Sequence, residues 1–282
     1  MRHQIFTRRA RALTYLRALS WRAFNLLENN GDCQPATNGE KHFLDTMLAY
    51  YVFDKTGLIA NTLHILDVGA YVGDYSRLIL DRCSELQLPV HVHVFEPLAA
   101  NFHVLQSRLD SYSNVTLNRL AVSNIVGDAD IYFDAERGSL TSIYRRNLKA
   151  YHMQLTASER VQTTRLDAYI NRLSLEHIPF MKLDVEGHEL AVLEGMGSYL
   201  DGDFVDFLSF EYGGANLDAR SSLMLLYETL EGAGFAVAKV MRNGLELRDY
   251  RPWMDNFTYA NYVAVSHRVL QRMAPSFLER GG

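Results

Sequence analysis

Two stretches of this sequence carry residue types and spacings suited to chemistry. The first runs Ile65-Leu66-Asp67-Val68-Gly69-Ala70-Tyr71-Val72-Gly73-Asp74-Tyr75-Ser76 and is followed by Val92-His93-Val94-Phe95-Glu96-Pro97. One apolar run closes on Asp-x-Gly-x-x-x-Gly and the next on a glutamate. That arrangement suits a nucleoside ligand lying across the ends of two parallel strands. Gly69 and Gly73 allow a tight turn and a close approach to a ligand that a Cβ would obstruct. Glu96 can accept hydrogen bonds from both hydroxyls of a ribose. A dinucleotide site would want Gly-x-Gly-x-x-Gly, with the pyrophosphate on the helix N-terminus. Here the glycines are spaced differently, and Asp67 and Asp74 put two carboxylates at a loop without Lys or Arg. A positively charged ligand lacking phosphates fits better. S-adenosylmethionine, with its ammonium and sulfonium, is such a ligand. The plainer reading is a strand–turn–helix with glycines for geometry alone; Glu96 favours the cofactor.

The second stretch is Met181-Lys182-Leu183-Asp184-Val185-Glu186-Gly187-His188-Glu189. A central parallel strand should be continuously apolar, yet Lys182, Asp184 and Glu186 project to one side by the period of two. Unpaired buried charges are costly, so these residues are expected to be paired, near the strand's carboxyl end, or both. Leu208-Ser209-Phe210-Glu211-Tyr212-Gly213-Gly214 repeats the anomaly. Ligands in open α/β sheets bind at the carboxyl ends of the strands, which would gather Asp184, Glu186, His188 and Glu211 beside the cofactor. Against this stands a structural ion-pair network, with Lys182 neutralising Asp184 or Glu211. Glu186 and Glu189 would also suit the N-terminal end of a helix dipole. His188 is the only imidazole in the group and ranks second as a base; His91 and His93 read as strand positions.

Together the two stretches resemble the FkbM-type family, a branch of the class I S-adenosylmethionine-dependent methyltransferases. The matching residues are Leu66-Asp67-Val68-Gly69-Ala70-Tyr71-Val72-Gly73, Val94-Phe95-Glu96-Pro97 with Asn101, Leu120-Ala121-Val122-Ser123, Thr164-Arg165-Leu166-Asp167, and the run from Met181 to Glu189 with Leu193 and Gly195 beyond. Lys-x-Asp-x-Glu-Gly-x-Glu is the most specific element, and the likeness covers about residues 63–265. It implies that Asp67, Gly69 and Gly73 lie along the methionyl part of the cofactor. Glu96 would take the ribose, and Ala121, Val122 and Ser123 would flank the adenine. Ala70, Tyr71, Ser76, Pro97 and Asn101 complete the candidate cofactor-binding set. The family mostly methylates hydroxyl oxygens in natural products, sugars and glycolipids, so O-methyl transfer to a small-molecule hydroxyl is the expected activity. Asp184 is the first choice for the general base. Glu211 and His188 come next, with Lys182 and Glu186 in the same charged group. Alternatively Asp184 and Glu211 hold a Mg²⁺ that lowers the hydroxyl pKa. The competing functions are an NAD-dependent oxidoreductase, disfavoured by the glycine spacing and the loop acids, and a catalytically silent cofactor-binding or scaffold protein.

These sites need a frame. From residue 63 onward short apolar strands alternate with amphipathic helices, the mark of a parallel sheet covered on both faces. Strands are expected at about 63–68, 90–95, 115–122, 128–134, 161–164, 180–185 and 204–210, with helices at 74–87, 98–111, 188–200 and 218–231. Asn243-Gly244 between apolar runs signals a hairpin. The expected fold is a Rossmann-like, mostly parallel seven-stranded sheet with helices on both faces and an antiparallel C-terminal hairpin. Residues 1–60 read as a helical N-terminal extension, a lid or acceptor cap, ahead of a methyltransferase domain over 61–282.

The 282 residues are 48% hydrophobic and 22% charged, ordinary for a globular protein. No apolar stretch is long enough to span a bilayer, and Cys33 and Cys83 suggest neither a disulfide framework nor a zinc site; a cytoplasmic location is expected. The net charge of −5 hides an asymmetry: residues 1–27 hold six arginines and no acid, leaving 22 basic against 33 acidic residues elsewhere. An acidic body argues against nucleic-acid binding. Leu13, Leu16, Leu19, Trp21, Phe24 and Leu27 recur at helical spacing; a helix docked on the acidic body is favoured over a peripheral membrane helix or a targeting peptide. Tyr71, Tyr144, Tyr151, Tyr212 and Trp253 are candidates for an acceptor pocket, and residues 138–158 for a cover over it. The oligomeric state is not legible.

Overall fold

The computed structural model describes residues 8–53, 62–134, 141–149, 152–273 and 278–280. Alternating apolar residues build its largest element. Ile65, Phe180 and Phe207 point to one face of a sheet, Leu66, Met181 and Leu208 to the other, and all are buried.

The helices are α1 (Arg8–Leu27), α2 (Glu40–Phe53), α3 (Asp74–Glu85), α4 (Ala99–Leu109), α5 (Leu166–Leu173), α6 (Glu189–Glu194), α7 (Gly214–Ala219), α8 (Leu223–Gly232) and α9 (His267–Arg272). The strands are β1 (Leu63–Val68), β2 (Val90–Phe95), β3 (Val115–Asn118), β4 (Ala121–Val122), β5 (Gly127–Phe133), β6 (Thr141–Ser142), β7 (Ala157–Thr164), β8 (Ile178–Leu183), β9 (Val205–Tyr212), β10 (Phe235–Met241), β11 (Gly244–Leu247), β12 (Ala260–Ser266) and β13 (Leu278–Arg280).

Among the described residues the main sheet runs β13-β11-β10-β12-β9-β8-β1-β2-β3. β3, β2, β1, β8 and β9 are parallel, and β12 runs antiparallel between β9 and β10. The mostly parallel Rossmann-like sheet is therefore present with its antiparallel C-terminal part. It has nine strands instead of seven, because the Asn-Gly hairpin adds β11 and β13 pairs with that edge.

Two further expectations need correction. The strand expected over 115–122 is two pieces, and the second, β4, joins a separate four-stranded sheet with β7, β5 and β6. The helix expected over 218–231 is broken at Arg220, which takes a left-handed conformation (φ 58°) before the Ser222 hydroxyl caps α8.

The N-terminal segment divides into two unlike parts. In α2, Phe43, Leu44, Met47, Leu48 and Tyr51 are buried against Phe180, Phe207, Val240 and Val263. That helix is part of the core covering one face of the sheet, not an appendage to it. By contrast, α1 does not dock along the body as expected: Leu13, Leu16, Leu19, Leu26 and Leu27 are exposed. Its ring contact with the body is at its carboxyl end, where Phe24 meets the Trp253 ring edge-on at 5.7 Å. Just beyond, Glu28 pairs with Lys239 at 3.1 Å and with Arg248 at 2.5 Å, and the Asn29 side chain donates to the carbonyls of Asn38 and Val240. These bonds pin residues 28–40 across the sheet's carboxyl edge.

Candidate active site

Strands β1, β8 and β9 all deliver their last residues to the same edge. The loop after β1 passes so close to the end of β8 that a Cβ on Gly69 would sit 1.9 Å from the Asp184 carbonyl oxygen, and its φ is +86°. Only glycine fits there. The Gly69 and Ala70 N–H groups donate to the Phe95 carbonyl, locking the loop onto β2.

Glu96, at the end of β2, is buried and fixed on three sides. Its Oε2 accepts from the Tyr71 N–H (3.1 Å); its Oε1 accepts from the Leu98 N–H (3.0 Å) and the Asn101 amide (3.2 Å). Burial pushes its carboxyl up to about 7, against the pull of those donors. Glu96 opens on a cavity lined by Gly69, Tyr71, Pro97, Asn101, Ala121 and Val122 and also by Asp184, Glu186 and His188. Among the described residues no Lys or Arg lines it, which suits a ligand without phosphates.

Asp67 lies deeper. Ser76 donates to its Oδ2 at 2.5 Å, while its Oδ1 is buried with no hydrogen-bond partner. Burial raises the Asp67 carboxyl, against the opposing charge of Lys182. Gly73 and Ser76 do not line the cavities. Gly73 (φ +84°) starts α3 against Leu105, and Ser76 supports Asp67. Ala70 faces a second cavity, and Ser123 stands behind the first as a partner of His188.

The charged residues of β8 and β9 gather around one ammonium. Lys182 donates to Asp184 Oδ2 at 2.6 Å, lies over the Tyr75 ring at 5.2 Å and sits beside Asp67 in the β1–β8 register. Burial opposes its charge, but Asp184, Glu211, Asp67 and Glu40 outweigh that and hold it well above the usual lysine range. Glu211 accepts from the Tyr259 hydroxyl at 2.8 Å. Burial, then the nearby Asp184 charge, push its carboxyl well above the usual range, only partly offset by Lys182.

Asp184 lines the cavity beneath Glu96 and two neighbours. One is walled by Cys33, Gln34, Pro35, Glu40, Lys182, Glu211 and Tyr259; the other by Trp21, Cys33, Glu186, Glu211, Tyr212 and Tyr259. The N-terminal segment thus supplies part of both walls.

His188 and Glu186 occupy different roles from Asp184. The His188 ring is bridged by the Tyr144 hydroxyl at Nδ1 and the Ser123 hydroxyl at Nε2, each at 2.9 Å. Burial lowers it to about 4. With both nitrogens engaged and the ring neutral, it is a wall of the cavity beneath Glu96 and a poor proton acceptor. Glu186 (φ +51°) pairs with Arg146 at 2.5 Å, and Arg146 also approaches Asp218. Arg146 belongs to the segment read as a cover, and Thr141, Ser142 and Ile143 of that segment line the cavity beneath Glu96. Of the tyrosines, Tyr71 and Tyr212 line cavities, Tyr144 holds His188, and Tyr151 lies outside the described residues.

Sequence reasoning missed Glu40, Tyr259 and Arg146. The only signal for Tyr259 was its place at the head of β12, antiparallel to β9, where Asn261 pairs with Glu211. Among the described residues no group of three or more His, Cys, Asp or Glu is arranged to hold a metal ion. The Lys182 ammonium stands where the carboxylates converge, which disfavours the Mg²⁺ arrangement.

Comparison with known proteins matches this frame. The model of the methyltransferase FkbM domain matches residues 67–259. The chain belongs to the FkbM methyltransferase family. It is 22% identical over 189 residues to Methyltransferase 1 of Beauveria bassiana, covering 62% of this chain and 72% of that one. It is also similar to the FkbM methyltransferase structure from Methylobacillus flagellatus (16% identity, TM-score 0.45, 82% of this chain), of which it spans half the length. Fibrillarin of Aeropyrum pernix, with natively bound S-adenosyl-L-methionine, is similar at 12% identity and a TM-score of 0.39, over 78% of this chain and 74% of that one.

Proposed function

We propose that this FkbM-family protein transfers a methyl group from S-adenosylmethionine to a hydroxyl oxygen of a small molecule. The observation that carries this reading is the position of Asp184, the residue common to the cavity beneath Glu96 and the two acidic cavities beside it. A group there faces the cofactor and the acceptor at once.

The residues fit the cofactor. Glu96 suits the ribose hydroxyls and Ala121 and Val122 give an apolar wall for a base, while Asp67, with its Oδ1 unpartnered, lines the neighbouring cavity and favours a cationic group there. S-adenosylmethionine, when bound, supplies an electrophilic methyl on a sulfonium.

Asp184 would accept the acceptor's hydroxyl proton, so no free alkoxide is needed; the methyl would come from the bound cofactor, whose methyl–sulfur bond breaks and which would leave as S-adenosylhomocysteine. General bases of this kind contribute about 10²–10⁴-fold, and holding the oxygen in line with the methyl supplies much of the remainder. The Asp184–Lys182 bond engages Oδ2 and orients the carboxylate toward the cavities. Glu211, whose carboxyl is pushed well up by burial and by the Asp184 charge, is suited to hydrogen-bond the acceptor, with Tyr259 fixing its position. Glu40, Cys33 and Gln34 close the acceptor side.

Incubation with methyl-labelled S-adenosylmethionine and a panel of hydroxylated sugars and polyketides tests this. The expected product is a labelled ether, absent when Asp184→Asn replaces the wild type. Label on nitrogen or carbon, or full turnover by the variant, contradicts the reading.

A further inference from the structure

The apolar side of α1 is turned away from the protein. Phe24 and Asn25 are half-buried, Trp21 stacks on Phe24 at 5.8 Å, and Trp21 also lines the largest acidic cavity, so this side faces the body. At about 100° per residue, Leu16, Leu19 and Leu26 fall on the opposite side, flanked by Tyr15, Leu13 and Leu27. Leu16 is 55% exposed, Leu19 52% and Leu26 66%. A contiguous stripe of this kind marks an interaction surface.

The charges around the stripe say what it meets. Arg22 is exposed beside Tyr15 at one border of the apolar arc, Arg17 is exposed on the side that carries Trp21 and Phe24, and Arg8, Arg9 and Arg11 stand in the first turn. No acid occurs in residues 1–27. An exposed apolar side on a helix that carries arginines and no acid is the composition of a helix lying in the headgroup layer of an anionic bilayer. Pairing of the stripe with that of a second copy would bring arginines against arginines. No helix among the described residues is long and apolar enough to cross a membrane, so the contact is peripheral.

We propose that α1 docks this protein on an anionic phospholipid surface through Leu13, Leu16, Leu19, Leu26 and Leu27. Arg22 reaches the headgroups from the border of the stripe, and the charge of Arg17 adds to the attraction. The remaining chain, with 22 basic and 33 acidic residues, is repelled by the same surface and stands off from it.

Co-sedimentation of the full chain with vesicles of phosphatidylcholine, alone or mixed with phosphatidylglycerol, tests the proposal. Binding is expected to the mixed vesicles only and to weaken as salt is raised. Arg17→Gln with Arg22→Gln should weaken it roughly fivefold per arginine, and Leu16→Ser with Leu19→Ser should abolish it. Circular dichroism and S-adenosylhomocysteine affinity should be unchanged in both, since these side chains are exposed and away from the cavity beneath Glu96. Three results overturn the proposal: no binding to mixed vesicles at low salt, binding insensitive to both variant pairs, or a dimer in sedimentation velocity that Leu16→Ser with Leu19→Ser dissociates while vesicle binding is absent.

Discussion

Strand β9 carries an acid near each end, and the two are treated in opposite ways. At its start, Asp206 is fully matched: Arg268 donates to Oδ1 at 2.6 Å, and the Tyr51 hydroxyl (2.7 Å) and His177 (2.9 Å) reach Oδ2. Burial works against its charge, but His177, Tyr51 and Arg268 outweigh it and hold the carboxyl below its usual range. At the other end, Glu211 shares one lysine with Asp184, Asp67 and Glu40, and its carboxyl is pushed well up. The first cluster is balanced and lines none of the cavities described above. The second has more acids than cations, an unpartnered oxygen on Asp67, and cavities on its flanks. Excess charge kept at a strand's carboxyl end is the signature of a site prepared for a ligand. A balanced one belongs to the fold.

Substitutions separate the two ends by what they damage. The largest effect is expected from Asp184→Asn: turnover should fall by about 10²–10⁴-fold, while S-adenosylhomocysteine affinity changes little. Next, Asp206→Asn should leave turnover per folded molecule intact but cost about 3 kcal/mol in urea unfolding, because Arg268 loses its buried partner. The pH dependence gives the sign. The Asp206 carboxyl is lowered in the folded state, so its contribution is present above its unfolded value of about 3.9 and is lost as pH falls through the folded value. The deficit of the variant therefore closes in acid.

Glu211 behaves in reverse. Its carboxyl is raised in the folded state, so its contribution is present in acid and is lost as pH rises through the folded value. Glu211→Gln should be neutral near pH 5 and gain stability relative to wild type as the pH is raised. A constant difference from acid to alkaline pH would remove the contrast between the two ends. The smallest expected effect is that of EDTA: turnover should be unchanged, since the Lys182 ammonium already stands where the carboxylates converge.

Much of this was legible in the sequence where one strand determines the outcome. The glycine loop, Glu96 and the alternation of Lys182, Asp184 and Glu186 are local patterns, and the sheet follows from apolar runs of the right length. What was not legible depends on partners far apart in the chain. Nothing near His188 announces that the Ser123 and Tyr144 hydroxyls occupy both its nitrogens. Tyr259 meets Glu211 only because β12 runs antiparallel beside β9. The two N-terminal helices show the same limit: both are apolar on one side, yet α2 covers the sheet and α1 does not. Hydrophobic periodicity says that a face exists without saying what it meets.

The central claim is that the cavity beneath Glu96 binds an adenosyl cofactor by its ribose. Calorimetric titration of wild type and Glu96→Ala with S-adenosylhomocysteine, alongside NAD⁺, tests it most directly. Wild type should bind S-adenosylhomocysteine and not NAD⁺, and the folded variant should bind it about ten- to a hundredfold more weakly. Equal affinity in the two proteins, or binding of NAD⁺ alone, would contradict it.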